Sequence, residues 1–144
     1  MLARRAAVAV IGAGFIWLGF SMAQGQETYK TRLSALPADA KTRPDLAGVG
    51  SVSAVLSGAK LTVTGSFDGL KTPATSAKLH AGVAAGVRGP AIADLTIAKA
   101  TNGAISGSVD LTAAQVQTLR KGGLYVQVYS EKPADGTLWG WLLK

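Results

Sequence analysis

Three observations predict an all-β fold, a Greek-key β-sandwich of seven or eight strands with one short helix. Apolar residues alternate with Thr, Ser and charged residues over short runs. Glycine, at 18 of 144 residues, and proline punctuate those runs too often for long helices. A single stretch carries both a helix start and a helix stop. Alternation with period two buries one face of a strand, and many short strands with frequent turns close into two packed sheets.

The elements follow in order. The polar lead from Gln24 to Glu27 opens onto a first strand over residues 29–36. Pro37, Pro44 and Gly48 make residues 37–48 a connecting loop. Within residues 48–57, Val52, Ala54 and Leu56 share a face. Within residues 60–69, Leu61, Val63, Gly65 and Phe67 share one, opposite Thr62, Thr64 and Ser66. Ser57, Gly58 and Ala59 between them suit a tight hairpin. Residues 76–81 form a weaker strand carrying His80, and residues 91–98 align Ala93, Leu95 and Ile97. Asn102 and Gly103 have the composition of a type I′ turn, which needs positive φ at both positions, and lead into a strand with Ile105, Val109 and Leu111 on one face. Then comes the helix: Thr112 and Gln115 at capping-box spacing, Val116 and Leu119 as its apolar stripe, Gly122 and Gly123 as its stop. Two strong strands, residues 124–130 and 138–144, close the chain, joined by a turn with Pro133 and Gly136.

The amino terminus is of another kind. MLARR, then AAVAVIGAGFIWLGF, then Ser21-Met22-Ala23 form the three parts of a secretory signal, so residues 1–23 are expected to be a signal peptide and residues 24–144 the domain. The alternative is a retained membrane anchor, since the apolar run approaches the ~20 residues that span a bilayer. Either way the domain is expected in the periplasm or outside the cell, attached to the inner membrane if the anchor stays. Cysteine is absent, so stability must come from packing rather than disulfides. Without Arg4 and Arg5, thirteen basic residues face eight acidic ones, spread singly apart from Arg120-Lys121. Scattered charge on an exported chain excludes nucleic acid as the expected partner.

Short motifs recur in a fixed order: YKTRLSAL at residues 29–36, A-x-x-H-x-G at 77–82, G-x-x-G-P at 86–90, Y-V-x-V at 125–128 and P-x-x-G-x-x-x-G at 133–140. In that order the chain resembles the chordin-type (CHRD) domain over nearly all its length beyond residue 24. The resemblance implies an immunoglobulin-like or dismutase-like sandwich, found in animal extracellular regulators and in exported bacterial proteins. The chain departs from the family pattern where relatives carry polar residues. Lys78 stands where the first histidine of His-x-His would, Tyr129 where a later histidine would, and Thr137 and Trp139 where Glu and Arg would.

His80 is therefore alone. A zinc or copper site needs three or four nitrogen, sulfur or carboxylate ligands, so no metal and no cofactor are expected. No serine sits in a G-x-S-x-G elbow, and Gly82, Gly86 and Gly89 match neither a dinucleotide fingerprint nor a phosphate loop. The chain by itself is not expected to be an enzyme. His80 reads as a half-buried residue whose ring hydrogen-bonds the backbone of residues 82–90.

The last hairpin points elsewhere. With Leu124, Val126, Val128, Leu138, Gly140 and Leu142 inward, alternation sends Tyr125, Gln127 and Tyr129 outward beside Trp139, Trp141 and Leu143. Tyr and Trp join a large apolar ring to a polar tip, which suits interfaces. Tyr125, Tyr129, Trp139 and Trp141 are thus the candidate partner-binding residues, unless the helix, residues 37–48 or the other sheet covers them. The expected function is a non-catalytic binding module or accessory subunit of a larger periplasmic or membrane-associated complex, for example a quinoprotein dehydrogenase. The alternatives are a membrane-anchored structural protein and a ligand-binding or metal-dependent enzyme.

Overall fold

The computed structural model describes residues 25–144; the signal peptide or anchor expected for residues 1–23 lies outside the described residues. Eight strands are present: β1 (Gln26–Ala35), β2 (Val49–Ser57), β3 (Lys60–Asp68), β4 (Ala74–Ala81), β5 (Ala91–Ile97), β6 (Gly103–Asp110), β7 (Leu124–Ser130) and β8 (Leu138–Trp141). One helix, α1 (Ala113–Arg120), separates β6 from β7. The strands close into a barrel in the order β1-β2-β3-β6-β5-β4-β7-β8, every pair antiparallel.

A barrel replaces the expected sandwich because two strands serve both sheets. Most of β1 pairs with β2, but Ser34 and Ala35 at its far end pair with Trp139 and Leu138 of β8. Likewise β5 pairs with β4, and its last residues Thr96 and Ile97 pair with Ser106 and Ile105 of β6. Both seams are thereby closed, each by two residue pairs. Greek-key order is present: β4, β5 and β6 are neighbours in sequence and space, and β3 returns beside β6.

Alternation fills the interior as the strand patterns dictate. Val52, Ala54 and Leu56 of β2 and Leu61, Val63 and Phe67 of β3 are buried, whereas Thr62, Thr64 and Ser66 are exposed. The β2–β3 turn is tight, Ser57 opposite Lys60, with Gly58 at φ 63°. The β5–β6 connection corrects a sequence expectation. Asn102 has no positive φ, so Asn102–Gly103 is not a type I′ turn. The chain instead takes a wider loop whose Thr101 and Ala100 carbonyls accept from Leu70 and Ala74 N–H, satisfying the crossover from β3 to β4.

Helix α1 has both bonds of its capping box: Gln115 N–H to Thr112 Oγ1 at 3.1 Å and Thr112 N–H to Gln115 Oε1 at 2.9 Å. It ends in a Schellman motif, Gly122 at φ 79° donating to Leu119 O and Gly123 to Thr118 O. Val116 and Leu119 are buried against the barrel.

Strand directions fix two ends. Residue 25 leads into β1 at the proximal end, where α1, residues 82–90 and residues 142–144 also lie; residues 36–48, 69–73, 98–102 and 131–137 connect strands at the distal end.

Candidate partner-docking face

Register aligns the outward residues of three neighbouring strands. Tyr125 lies opposite His80 on β4 and Trp141 on β8; Gln127 lies between Lys78 and Trp139; Tyr129 lies opposite Ser76. The rings form one cluster. His80 stacks on Tyr125 with centroids 4.8 Å apart and planes at 16°, Trp141 tilts against Tyr125 at 4.4 Å, and Trp139 meets Tyr125 edge-on at 5.8 Å. Such offset and T-shaped contacts are favoured by the ring quadrupoles.

Residues 82–90 fold back over this cluster and alter its exposure. Gly89 makes the closure. Its carbonyl accepts from His80 Nδ1 at 2.9 Å and Tyr125 Oη at 3.0 Å, and its N–H donates to Tyr125 Oη at 3.0 Å. A carbonyl can only accept, so Nδ1 carries the proton and Nε2 accepts from Tyr129 Oη at 2.7 Å. Gly89 has no room for a Cβ, which would run into the Ala81 carbonyl, and a Cβ on Gly82 would stand 2.8 Å from the Trp141 ring. Burial holds the His80 pKa below its ordinary value against the opposing Gly89 hydrogen bond, helped by the positive charges of Arg88 and Lys78. Burial raises the Tyr129 phenol, with nearby Tyr125 adding to it.

The four sequence-identified residues are thus brought together but not equally presented. Tyr125 is fully buried, so its outward direction does not put it in reach of another molecule; it is the base of the cluster. Tyr129, Trp139 and Trp141 are half-buried and form its surface. Arg88 stands over the Trp139 ring at 5.9 Å and Lys78 over Tyr129 at 6.0 Å, framing the rings with cations. Gln127 is buried as well, its Nε2 donating to Asp135 O at 3.0 Å, and its Oε1 has no hydrogen-bond partner among the described residues. Gln127 is covered by the Asp135–Gly136 turn, and Tyr125 by none of the elements named from the sequence. The cover of Tyr125 is the segment directly after His80, and its signal was the run of Gly82, Gly86 and Gly89, residues that let backbone approach backbone. His80 makes the expected bond to the backbone of residues 82–90, but it is buried rather than half-buried, only 7 % exposed, because that segment closes over it.

A surface depression of about 580 Å³ lies elsewhere, on the outside of β1–β3 between Lys30 and Arg32 and the hydroxyls of Ser51, Ser53 and Thr64. No group of three or more His, Cys, Asp or Glu side chains converges among the described residues.

The strands thus form a closed all-β barrel with one sealed aromatic cluster and a half-exposed aromatic rim. The chain belongs to the CHRD domain family, whose model matches residues 18–142. That family is of the binding type rather than the enzymatic type. No curated protein and no solved structure matches the chain.

Proposed function

We propose that this protein is an exported, non-catalytic accessory subunit that docks on a larger periplasmic or membrane-associated complex, such as a quinoprotein dehydrogenase, through Trp139, Trp141 and Tyr129. The supporting observation is the rigid seating of these rings. Tyr129 is hydrogen-bonded to His80, three further bonds tie His80 and Tyr125 to Gly89 beneath it, and Trp139 and Trp141 pack against the Tyr125 ring, so little rotamer freedom remains to be lost on binding. Arg88 and Lys78 add cations beside aromatic faces, the pairing found at interface hot spots. The test is purification of the protein from native membranes with its companions. A stoichiometric large polypeptide that is lost from Trp139→Ala, while the variant keeps its fold, supports docking; a companion retained equally by wild type and variant rules this face out.

A further inference from the structure

The two ends of the barrel present different surfaces. The described residues leave four large apolar side chains exposed; three of them, Val83 at 72 %, Val87 at 48 % and Leu143 at 55 %, belong to the proximal end, and the fourth, Val49, to the distal end. Val83 and Leu143 flank Lys121 at the end of α1, and Val87 pairs back to Ala84 beside Val83. Val83 shares a depression of about 260 Å³ with Thr118 and Lys121, and Gly82 N–H donates to Gly123 O at 2.8 Å. Leu143 lies against Gly122 and lines a second depression, of about 360 Å³, with Arg120, Lys121 and Lys144. Half-buried Trp141 reaches Gly82 at the edge of the same patch.

Charge follows the apolar residues. Lys60, Arg120, Lys121 and Lys144 are at the proximal end, where the acidic side chains are Glu27 and Asp110. Glu27 is already engaged, by Arg120 at 2.7 Å and Lys144 at 3.2 Å. The distal end instead mixes Asp39, Asp45, Asp68, Glu131 and Asp135 among its lysines and arginines. Apolar side chains grouped on one end, a tryptophan at their border and lysines around them match a bilayer surface layer by layer: acyl boundary, interface and phosphates. Where the amino-terminal anchor is retained, chain connectivity agrees, because the apolar run of residues 6–20 precedes β1, which starts at this end.

We propose that the proximal end of the barrel rests on an anionic phospholipid surface, Val83, Val87 and Leu143 entering the headgroup boundary and Lys121 and Lys144 meeting lipid phosphates. This footprint adjoins the proposed docking face and shares only Trp141 with it. The chain has no cysteine, so single substitutions Val83→Cys, Leu143→Cys, Val49→Cys and Thr62→Cys can each carry one polarity-sensitive fluorophore on the full-length protein. With vesicles of phosphatidylglycerol and phosphatidylcholine, labels at 83 and 143 should shift to the blue. Lipid-borne quenchers should quench them severalfold more than labels at 49 and 62. The difference should shrink in phosphatidylcholine alone, at high salt, and in Lys121→Glu with Lys144→Glu. Equal quenching at all four sites, or a blue shift at 83 and 143 that survives in phosphatidylcholine and the charge variant, overturns the proposal. So does a shift that appears only when membrane proteins are added, which would make the patch a protein contact. All four labelled positions are exposed, and unchanged near-ultraviolet circular dichroism verifies that each variant is folded.

Discussion

The outer faces of β2–β3 and of β7–β8 obey the same alternation and end in opposite states. On β3, Thr62, Thr64 and Ser66 stand in water, while on β7 Tyr125 and Gln127 are as buried as the core residues between them. The period sets direction only. What lies in that direction depends on the neighbours: the hydroxyls of β3 tolerate water, whereas Tyr125 gains from the glycine-rich segment after β4 and Gln127 is closed over by the Asp135–Gly136 turn. One side of the barrel wall is therefore a single layer and the other a double one.

The widest separation between the two faces should appear on truncation. Tyr125→Ala is expected to cost about 3–5 kcal/mol, the range for emptying a buried aromatic site, and Thr62→Ala to stay within about 0.5 kcal/mol. Urea melts of both variants measure it, and equal midpoints would erase the distinction between the faces.

Gly89→Ala comes next, at about 1–3 kcal/mol, because the new methyl group displaces the covering segment from Ala81. Limited proteolysis should then cut within residues 82–90, where the wild type resists. Tyr125→Phe keeps the ring and removes only the hydroxyl that Gly89 N–H bonds, for about 1–2 kcal/mol by the same melts.

Trp139→Ala should lose about 1 kcal/mol or less of stability, since its ring is half-exposed, yet weaken capture of the native complex by about 2 kcal/mol or more. Parallel melting and pull-down of this variant sharpen the comparison by separating support from contact.

The smallest effect is a pH slope. The His80 pKa is lower in the folded than in the unfolded chain, so the unfolded state binds more protons below the ordinary value of 6.5. Stability contributed by His80 is therefore complete above that value and is lost as pH falls through 6.5 toward the folded pKa. Glu27, held down to about 2 chiefly by its hydrogen bond to Arg120, loses its contribution in a separate window, from 4.5 downward. Thermal melts of wild type and His80→Phe from pH 7.5 to 5 should converge as the acid is added, and parallel curves would show that the imidazole is not the source.

Most strands, the helix with both its caps, and the inward and outward residues of the last hairpin were legible in the sequence, because each rests on neighbours a few positions away. The capping box at Thr112 is a local arrangement and reads locally. Closure was not legible. Ser34 and Ala35 alternate in the same way whether they meet β8 or solvent, so nothing short of the pairing itself separates barrel from sandwich. Asn102–Gly103 misled for a similar reason, since Leu70 and Ala74, distant in sequence, recruit that loop's carbonyls. The aromatic residues of the docking face could be named from alternation, but not the burial of Tyr125. That depends on Gly89 reaching back across the sheet, a contact spanning 36 positions.

The seam between β1 and β8 also sets an order of events in time. Ser34 must find Trp139, nearly the whole length of the domain away, before the ring of strands is complete. A chain threaded through a secretion pore amino terminus first would deliver β1 early and β8 last, so the native ring could not close until the far end had emerged. Nonlocal closure of this kind slows folding. If the chain is exported as proposed, that delay would help, since a chain that cannot finish folding remains narrow enough to pass.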